Sequence, residues 1–249
     1  MPAARYPLAF VTGTSSGIGA VLAQDLLERG WRVVGASRRA APITHPRYSH
    51  LQLDLADLAA LRKALDAQLA PLVADPAVTR LGLVNNAANE GLLGTIGRLD
   101  ASALPDIYAV NTAAPILLMG WFEQHARAGR PLRIVNVSTG AAVMPIPGLG
   151  AYGTSKAALR MAGMILGAEL DASGAPLETT ILSYEPGLVD TPMQMAVRTS
   201  SAEVVPSVQM FNDWAEAGTL VPPALPAAEI AEYLESDGHA RWEERRLRG

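Results

Sequence analysis

Cysteine is absent from the 249 residues, which excludes disulfides and thiolate metal sites. The four histidines form no recognisable metal-ligand pattern. Positive charge is not in excess either. Twenty Lys and Arg face 24 Asp and Glu for a net charge of -4, and the pI of about 5.6 is an unpromising field for a polyanion such as nucleic acid. No apolar run is long enough to span a bilayer, and no internal repeat or low-complexity run interrupts the chain. The first strand-like run starts so near Met1 that no signal peptide fits, so a cytoplasmic location without a membrane partner is expected. The basic tail Arg241 to Arg248 is interleaved with Glu243 and Glu244 and reads as a solvated end.

What is present is an alternation of strand and helix patterns. Strand-like runs at Leu8–Thr12, Arg32–Ala36, Ser49–Leu53, Leu81–Asn85, Arg133–Val137 and Thr179–Tyr184 alternate with helical patterns such as Leu58, Leu61, Leu65, Leu69 and Leu72. Such alternation implies an α/β fold with a parallel sheet covered on both faces. The length suits one domain, residues 1–249, with a large core.

The first strand runs straight into Gly13-Thr-Ser-Ser-Gly17-Ile-Gly19. A helix follows, with Ile18, Val21, Leu22, Leu26 and Leu27 at helical spacing and Gly30 as its C-terminal cap. A glycine-rich turn entering a helix lets the backbone approach a pyrophosphate, whose charge the free amides and helix dipole stabilise. The spacing G-x-x-x-G-x-G is not the common G-x-G-x-x-G, and a tight turn without a ligand is the competing reading.

Further along, Tyr152 and Lys156 stand four apart and share a helical face. A phenol with a pKa of about 10 exchanges protons poorly near neutrality unless a nearby positive charge favours the phenolate. Lys156 can supply that charge, and the hydroxyl of Ser138 can hold a substrate oxygen. The alternative is a chance pairing, with the tyrosine half buried and the lysine snorkelling to water.

Taken in order, these segments resemble the short-chain dehydrogenase/reductase family over roughly residues 7 to 192. The resemblance implies a single-domain, Rossmann-type doubly wound parallel sheet with helices on both faces. It implies a cofactor turn at Gly13, Ser15, Ser16, Gly17, Ile18 and Gly19, and a fourth-strand motif at Asn85-Asn86-Ala87-Ala88, where the family usually has Gly at the last position. Asn111, Ser138, Tyr152 and Lys156 match its catalytic tetrad, and Pro186, Gly187, Val189 and Thr191 its nicotinamide-side turn. In those roles Tyr152 donates the proton in reduction and Lys156 lowers the phenol pKa and binds ribose. Ser138 orients the carbonyl, and Asn111 supports a water linked to Lys156. The competing roles are a helix kink for Asn111 and a plain turn for Thr191.

Cofactor choice is read from the end of the second strand, Gly35-Ala-Ser37-Arg38-Arg39, where an NAD enzyme presents an acid to the ribose. No acid stands there. The guanidinium of Arg38, with Arg39 and the Ser37 hydroxyl, suits a 2′-phosphate, so NADP(H) is expected. Two solvated arginines are the alternative. Asp54, beside Leu55, resembles the family residue that binds the adenine amino group, with helix capping as its second role.

Ser183 to Gln194 and Trp214 to Val221 look like the sepiapterin reductase group and its bacterial relatives that reduce diketones such as benzil. The acid that holds a pterin near the C-terminus has no convincing counterpart, Glu243 and Glu244 being the nearest. The tail also lacks the glycine-rich ending of tetrameric members. Residues 188–223 occupy the place of the fold's variable lid. Met193, Met195, Met210, Phe211 and Trp214 of this segment, with Met144 from before it, line an adaptable apolar pocket or fill the core, Met144, Met193 and Trp214 being the substrate-side candidates beside Ser138 and Tyr152. The expected reaction is NADPH-dependent reduction of a compact ketone or α-diketone. A 3-oxoacyl-carrier reductase is disfavoured because the carrier is itself acidic, and a non-catalytic NADP(H) sensor has no need of the proton relay. Ala157, Ala158, Ala162, Gly163 and Gly167 on the helix of Tyr152 permit close helix packing; the resemblance implies that this helix and the one after Asn111 build a dimer, so a homodimer is expected, with internal packing against the sheet as the alternative.

Overall fold

The computed structural model describes residues 5–89, 91 and 93–248, so both ends of the expected 1–249 domain, including Gly249, lie outside the described residues. Seven parallel strands form one sheet in the order β3-β2-β1-β4-β5-β6-β7. They are β1 (Tyr6–Thr12), β2 (Arg32–Ser37), β3 (Tyr48–Gln52), β4 (Val78–Asn85), β5 (Leu132–Val137), β6 (Thr179–Glu185) and β7 (Trp242–Arg246). The helices are α1 (Gly17–Glu28), α2 (Leu58–Ala64), α3 (Ala70–Val73), α4 (Leu104–Tyr108), α5 (Ala114–His125), α6 (Gly150–Ala172), α7 (Pro192–Arg198), α8 (Val208–Glu216) and α9 (Ala224–Glu235).

Period-two alternation along the strands decides the two cores. From β1, Leu8 and Phe10 join the α2, α5 and α6 side with Leu65, Phe122 and Leu159. Ala9 and Val11 join the α1 and α9 side with Leu22, Leu26 and Ile230. The fold is a Rossmann-like single domain with buried cores on both faces of its sheet. Because the chain leaves β3 at one edge and returns at β4 beside β1, the order reverses there, and the carboxyl ends of β1 and β4 open a crevice.

Two helices carry π-turns. Leu65–Leu69 links α2 to α3, keeping Leu61, Leu65 and Leu69 buried together, and Ala109–Ala113 links α4 to α5 around Asn111.

The tail Arg241 to Arg248 is not a solvated end. Trp242 pairs with Ile181 and Arg246 with Glu185, which makes β7 an edge strand. Arg241 anchors it by donating to the carbonyls of Ala175, Pro176 and Thr179 at 2.6, 3.1 and 2.9 Å. Glu244 accepts from Arg160 at 2.7 and 2.8 Å, so it is committed to α6. The small residues of α6 are used internally at Gly163 and Gly167, where an added Cβ would lie 3.1 Å from Asn136 Nδ2 and 3.2 Å from Trp242 Cβ. No helix among the described residues is long and apolar enough to cross a membrane.

Candidate active site

A cleft of about 390 Å³ runs along the carboxyl ends of the strands, within the size range of small-molecule sites. Its floor is the turn after β1. Gly13 and Gly17 have φ of 77° and 57°, left-handed values that favour glycine. A Cβ on Gly13 would also stand 2.8 Å from Asn86 Nδ2. Gly19 does not reach the cleft; a methyl group there would collide with the Gly13 carbonyl and the Asn86 amide, so its role is to seat α1. Asn86 donates to Thr12 O at 2.8 Å, and Thr12 Oγ1 accepts the amides of Asn86 and Ala87, both at 3.0 Å. The end of β4 thus clamps the turn. Ser16 is the N-cap of α1 in extended backbone without a side-chain cap bond, which leaves the amides of the first turn open. Ala88 lines the cleft, so its methyl group is accommodated.

At the end of β2 the exposed Arg38 and Arg39 line the cleft, and neither pairs with a carboxylate among the described residues. Ser37 donates to Arg39 O at 2.7 Å, so it shapes the arginine turn and its proton is already used. Behind it runs a hydrogen-bonded chain: Thr14 Oγ1 to Tyr48 OH at 3.0 Å, Tyr48 OH to His50 Nδ1 at 2.9 Å, and His50 Nε2 to Arg39 O at 3.1 Å. A carbonyl only accepts, so Nε2 carries the proton, Nδ1 accepts from Tyr48, and Thr14 donates to Tyr48. Gly35 is glycine because Tyr48 OH and Thr14 Oγ1 occupy the space of its side chain. Asp54 and Leu55 also line the cleft. Asp54 Oδ1 accepts from Ala56 N at 3.0 Å, but the cap of α2 is Asp57, which accepts from Ala60 N at 2.8 Å. The glycine cradle, open amides and unpaired arginines together suit a ligand with a pyrophosphate and a further anionic group.

Ser138, Tyr152 and Lys156 all line the cleft. Ser138 extends the pairing of β5 with β6 by donating its amide to Tyr184 O at 2.7 Å. Lys156 is only 1% exposed, and its Nζ donates to Val137 O at 2.8 Å. Burial pushes its pKa down to about 8. The ammonium lies 5.9 Å from the centre of the Tyr152 ring. Asn111 is buried in its π-turn and does not line the cleft. Its Nδ2 donates to Asn89 O at 2.9 Å and to Ser155 Oγ at 3.0 Å, Ser155 Oγ donates to Tyr152 O at 2.7 Å, and Asn111 Oδ1 accepts from Asn89 N at 2.7 Å. Asn111 therefore holds the start of α6 to the end of β4.

Pro186, Gly187, Val189 and Thr191 form the opposite wall. Thr191 Oγ1 accepts from Gln194 N at 3.3 Å and so caps α7. From that helix Met193, Gln194 and Val197 face the cleft with Phe211, Leu149 and Leu93.

The model of the family described as short chain dehydrogenase matches residues 7–202. The chain belongs to that family. It is similar to the benzil reductase ((S)-benzoin forming) of Bacillus subtilis, with 31% identity over 92% of this chain and 93% of the relative. The sepiapterin reductase of Xenopus tropicalis is 27% identical over 93% of this chain and 92% of its own. A crystal structure of a short-chain dehydrogenase/reductase from Burkholderia vietnamiensis, 31% identical, superposes with a TM-score of 0.67 over 81% of this chain and 94% of that one. The protein is accordingly an oxidoreductase.

In this short-chain dehydrogenase the substrate side departs from expectation. Met144 is 54% exposed and lies outside the cleft, because the loop after β5 turns it outward. Trp214 stands behind the wall, edge-on to Phe211 at 5.3 Å, and Phe211 takes the lining position. Gln194 and Val197 were the residues to find. With Thr191 taken as the N-cap, positions 193, 194 and 197 fall on one face of α7.

Proposed function

We propose that this protein is an NADPH-dependent carbonyl reductase acting on a compact ketone or α-diketone. The observation that carries the reading is the Lys156 ammonium, buried against Val137 O and beside Tyr152, with both residues lining the cleft. The residues present fit the dinucleotide. Gly13, Ser15, Ser16, Gly17 and Ile18 would hold the pyrophosphate, Asp54 and Leu55 the adenine, and Arg38 and Arg39 the 2′-phosphate. Asn86 and Ala87 would pack alongside, while Pro186, Gly187, Val189 and Thr191 would face the carboxamide. The nicotinamide, when bound, supplies the hydride. Ser138 Oγ donates a hydrogen bond that orients the carbonyl oxygen, and Tyr152 OH gives that oxygen its proton. The charge of Lys156 stabilises the phenolate left behind. Asn111, through Ser155, positions the backbone of Tyr152.

A mostly apolar wall above Tyr152 and similarity to a benzil reductase support a carbonyl compound with an apolar body. Residues 188–223 serve as the lid, and the active form is a homodimer built on α5 and α6.

Replacing Tyr152 with Phe should leave NADPH binding intact by fluorescence titration and cut NADPH oxidation with 1-phenylpropane-1,2-dione by about 10²- to 10⁴-fold. Unchanged turnover would sink the reading, and turnover of sepiapterin alone would count against the diketone.

A further inference from the structure

Gln194 has no place in the proton relay or the cofactor cradle, yet its side chain is only 9% exposed and lines the cleft. Its Nε2 is buried without a hydrogen-bond partner among the described residues. A buried amide donor left unpaired is costly, and native structures rarely tolerate one without reason. The backbone fixes its position, because the cap from Thr191 to Gln194 N sets the first turn of α7. Beside it Met193, Val197 and Phe211 line the same cleft, so Gln194 is the one amide in this apolar stretch of a lining that also includes Ser138 and Tyr152.

We propose that Gln194 is a specificity-determining residue whose carboxamide turns toward the substrate and donates to a second oxygen, on the carbon next to the carbonyl held by Ser138 and Tyr152. The inference rests on the carbonyl-reductase reading and narrows its substrate class. A compound with one oxygen leaves the amide unpaired inside the closed cleft. A 1,2-diketone or α-hydroxyketone satisfies it, so the site selects vicinal dioxygenated compounds over plain ketones of the same shape. Gln194 exchanges no proton or electron. Reduction remains one hydride to the carbonyl carbon and one proton from Tyr152 to its oxygen.

The test compares 1-phenylpropane-1,2-dione with propiophenone, which have the same carbon skeleton and differ by one oxygen. The kcat/KM for each is measured with NADPH for the native enzyme, Gln194→Met and Gln194→Glu. The diketone-to-monoketone ratio should fall about tenfold to a hundredfold in Gln194→Met. It should fall at least as far in Gln194→Glu, which keeps the shape but replaces the donor with an acceptor. Either variant is informative alone, since the ratio is internal to one preparation. A ratio unchanged in both variants, while the native enzyme reduces the two compounds, overturns the role of Gln194 and leaves the reductase reading standing. A native enzyme that reduces propiophenone but not the diketone also overturns it. A native enzyme that reduces neither compound refutes both readings together.

Discussion

At the scale of single residues, Lys156 sets function against stability. Its ordinary pKa of 10.5 falls to about 8 because burial disfavours the ammonium. Between those values the unfolded chain holds a proton that the native lysine has lost, so the native state gains stability as pH rises through that window. Below about pH 8 the cost of burying the charge is present in full, on the order of 3 kcal/mol. Lys156→Met should therefore be more stable than the native protein at pH 7, by about 2 kcal/mol once the unpaired Val137 carbonyl is counted. Its advantage should shrink by pH 10, while carbonyl reduction falls by orders of magnitude. Urea unfolding at the two pH values checks this, and a variant less stable at pH 7 contradicts it. The Tyr152 and Lys156 pair was legible in the sequence because four-residue spacing is a property of the helix itself. Gln194 was not, because its significance depends on Phe211 and Leu149, which reach the same wall from other elements.

At the scale of elements, the segment proposed as a lid is held by a bridge at its base and packs on one glycine. Val221 pairs with Val189, with Asp190 N donating to Val221 O and Val221 N to Leu188 O, both at 2.9 Å. Further along the segment, Ser207 Oγ donates to Pro147 O at 2.7 Å. Next to it Gly148 has φ of 93°, and a Cβ there would stand 2.7 Å from Val205 Cα. Gly148→Ala meets both a left-handed backbone, at about 1–2 kcal/mol, and a backbone collision that lifts the lid. The KM for a carbonyl substrate should rise about tenfold or more, with NADPH affinity by fluorescence titration little changed because the phosphate-holding residues proposed above lie in the turns after β1 and β2. An unaltered KM would show that the lid seat does not control substrate binding. β1, β2, β4 and β5 were legible from their apolar runs, and β3 and β6, Tyr48-Ser-His-Leu-Gln52 and Thr179-Thr-Ile-Leu-Ser-Tyr-Glu185, from shorter apolar stretches within mixed sequence. β7 was hidden because Glu243 to Arg246 carry its charge to an exposed edge, and what holds it is Arg241 on carbonyls distant in sequence.

At the scale of the whole molecule, the two sides differ in what they offer a second copy. Ile116 on α5 and Met161 and Ile165 on α6 are 47%, 51% and 50% exposed, an apolar face that water does not favour. The sheet edge beside α6 is β7, where Glu243, Glu244, Arg245 and Arg246 discourage strand-to-strand pairing. Since Gly163 and Gly167 are already used against Asn136 and Trp242, contact between copies falls to Met161 and Ile165. The molecule should therefore stop at a dimer, with a mass by light scattering of twice the 26.2 kDa chain. Ile165→Arg places a charge in the middle of that face without touching the cleft, so it should return the mass to that of one chain while NADPH binding persists. A native tetramer would point to β7 as a second interface, and a dimer unaffected by Ile165→Arg would move the contact away from α6.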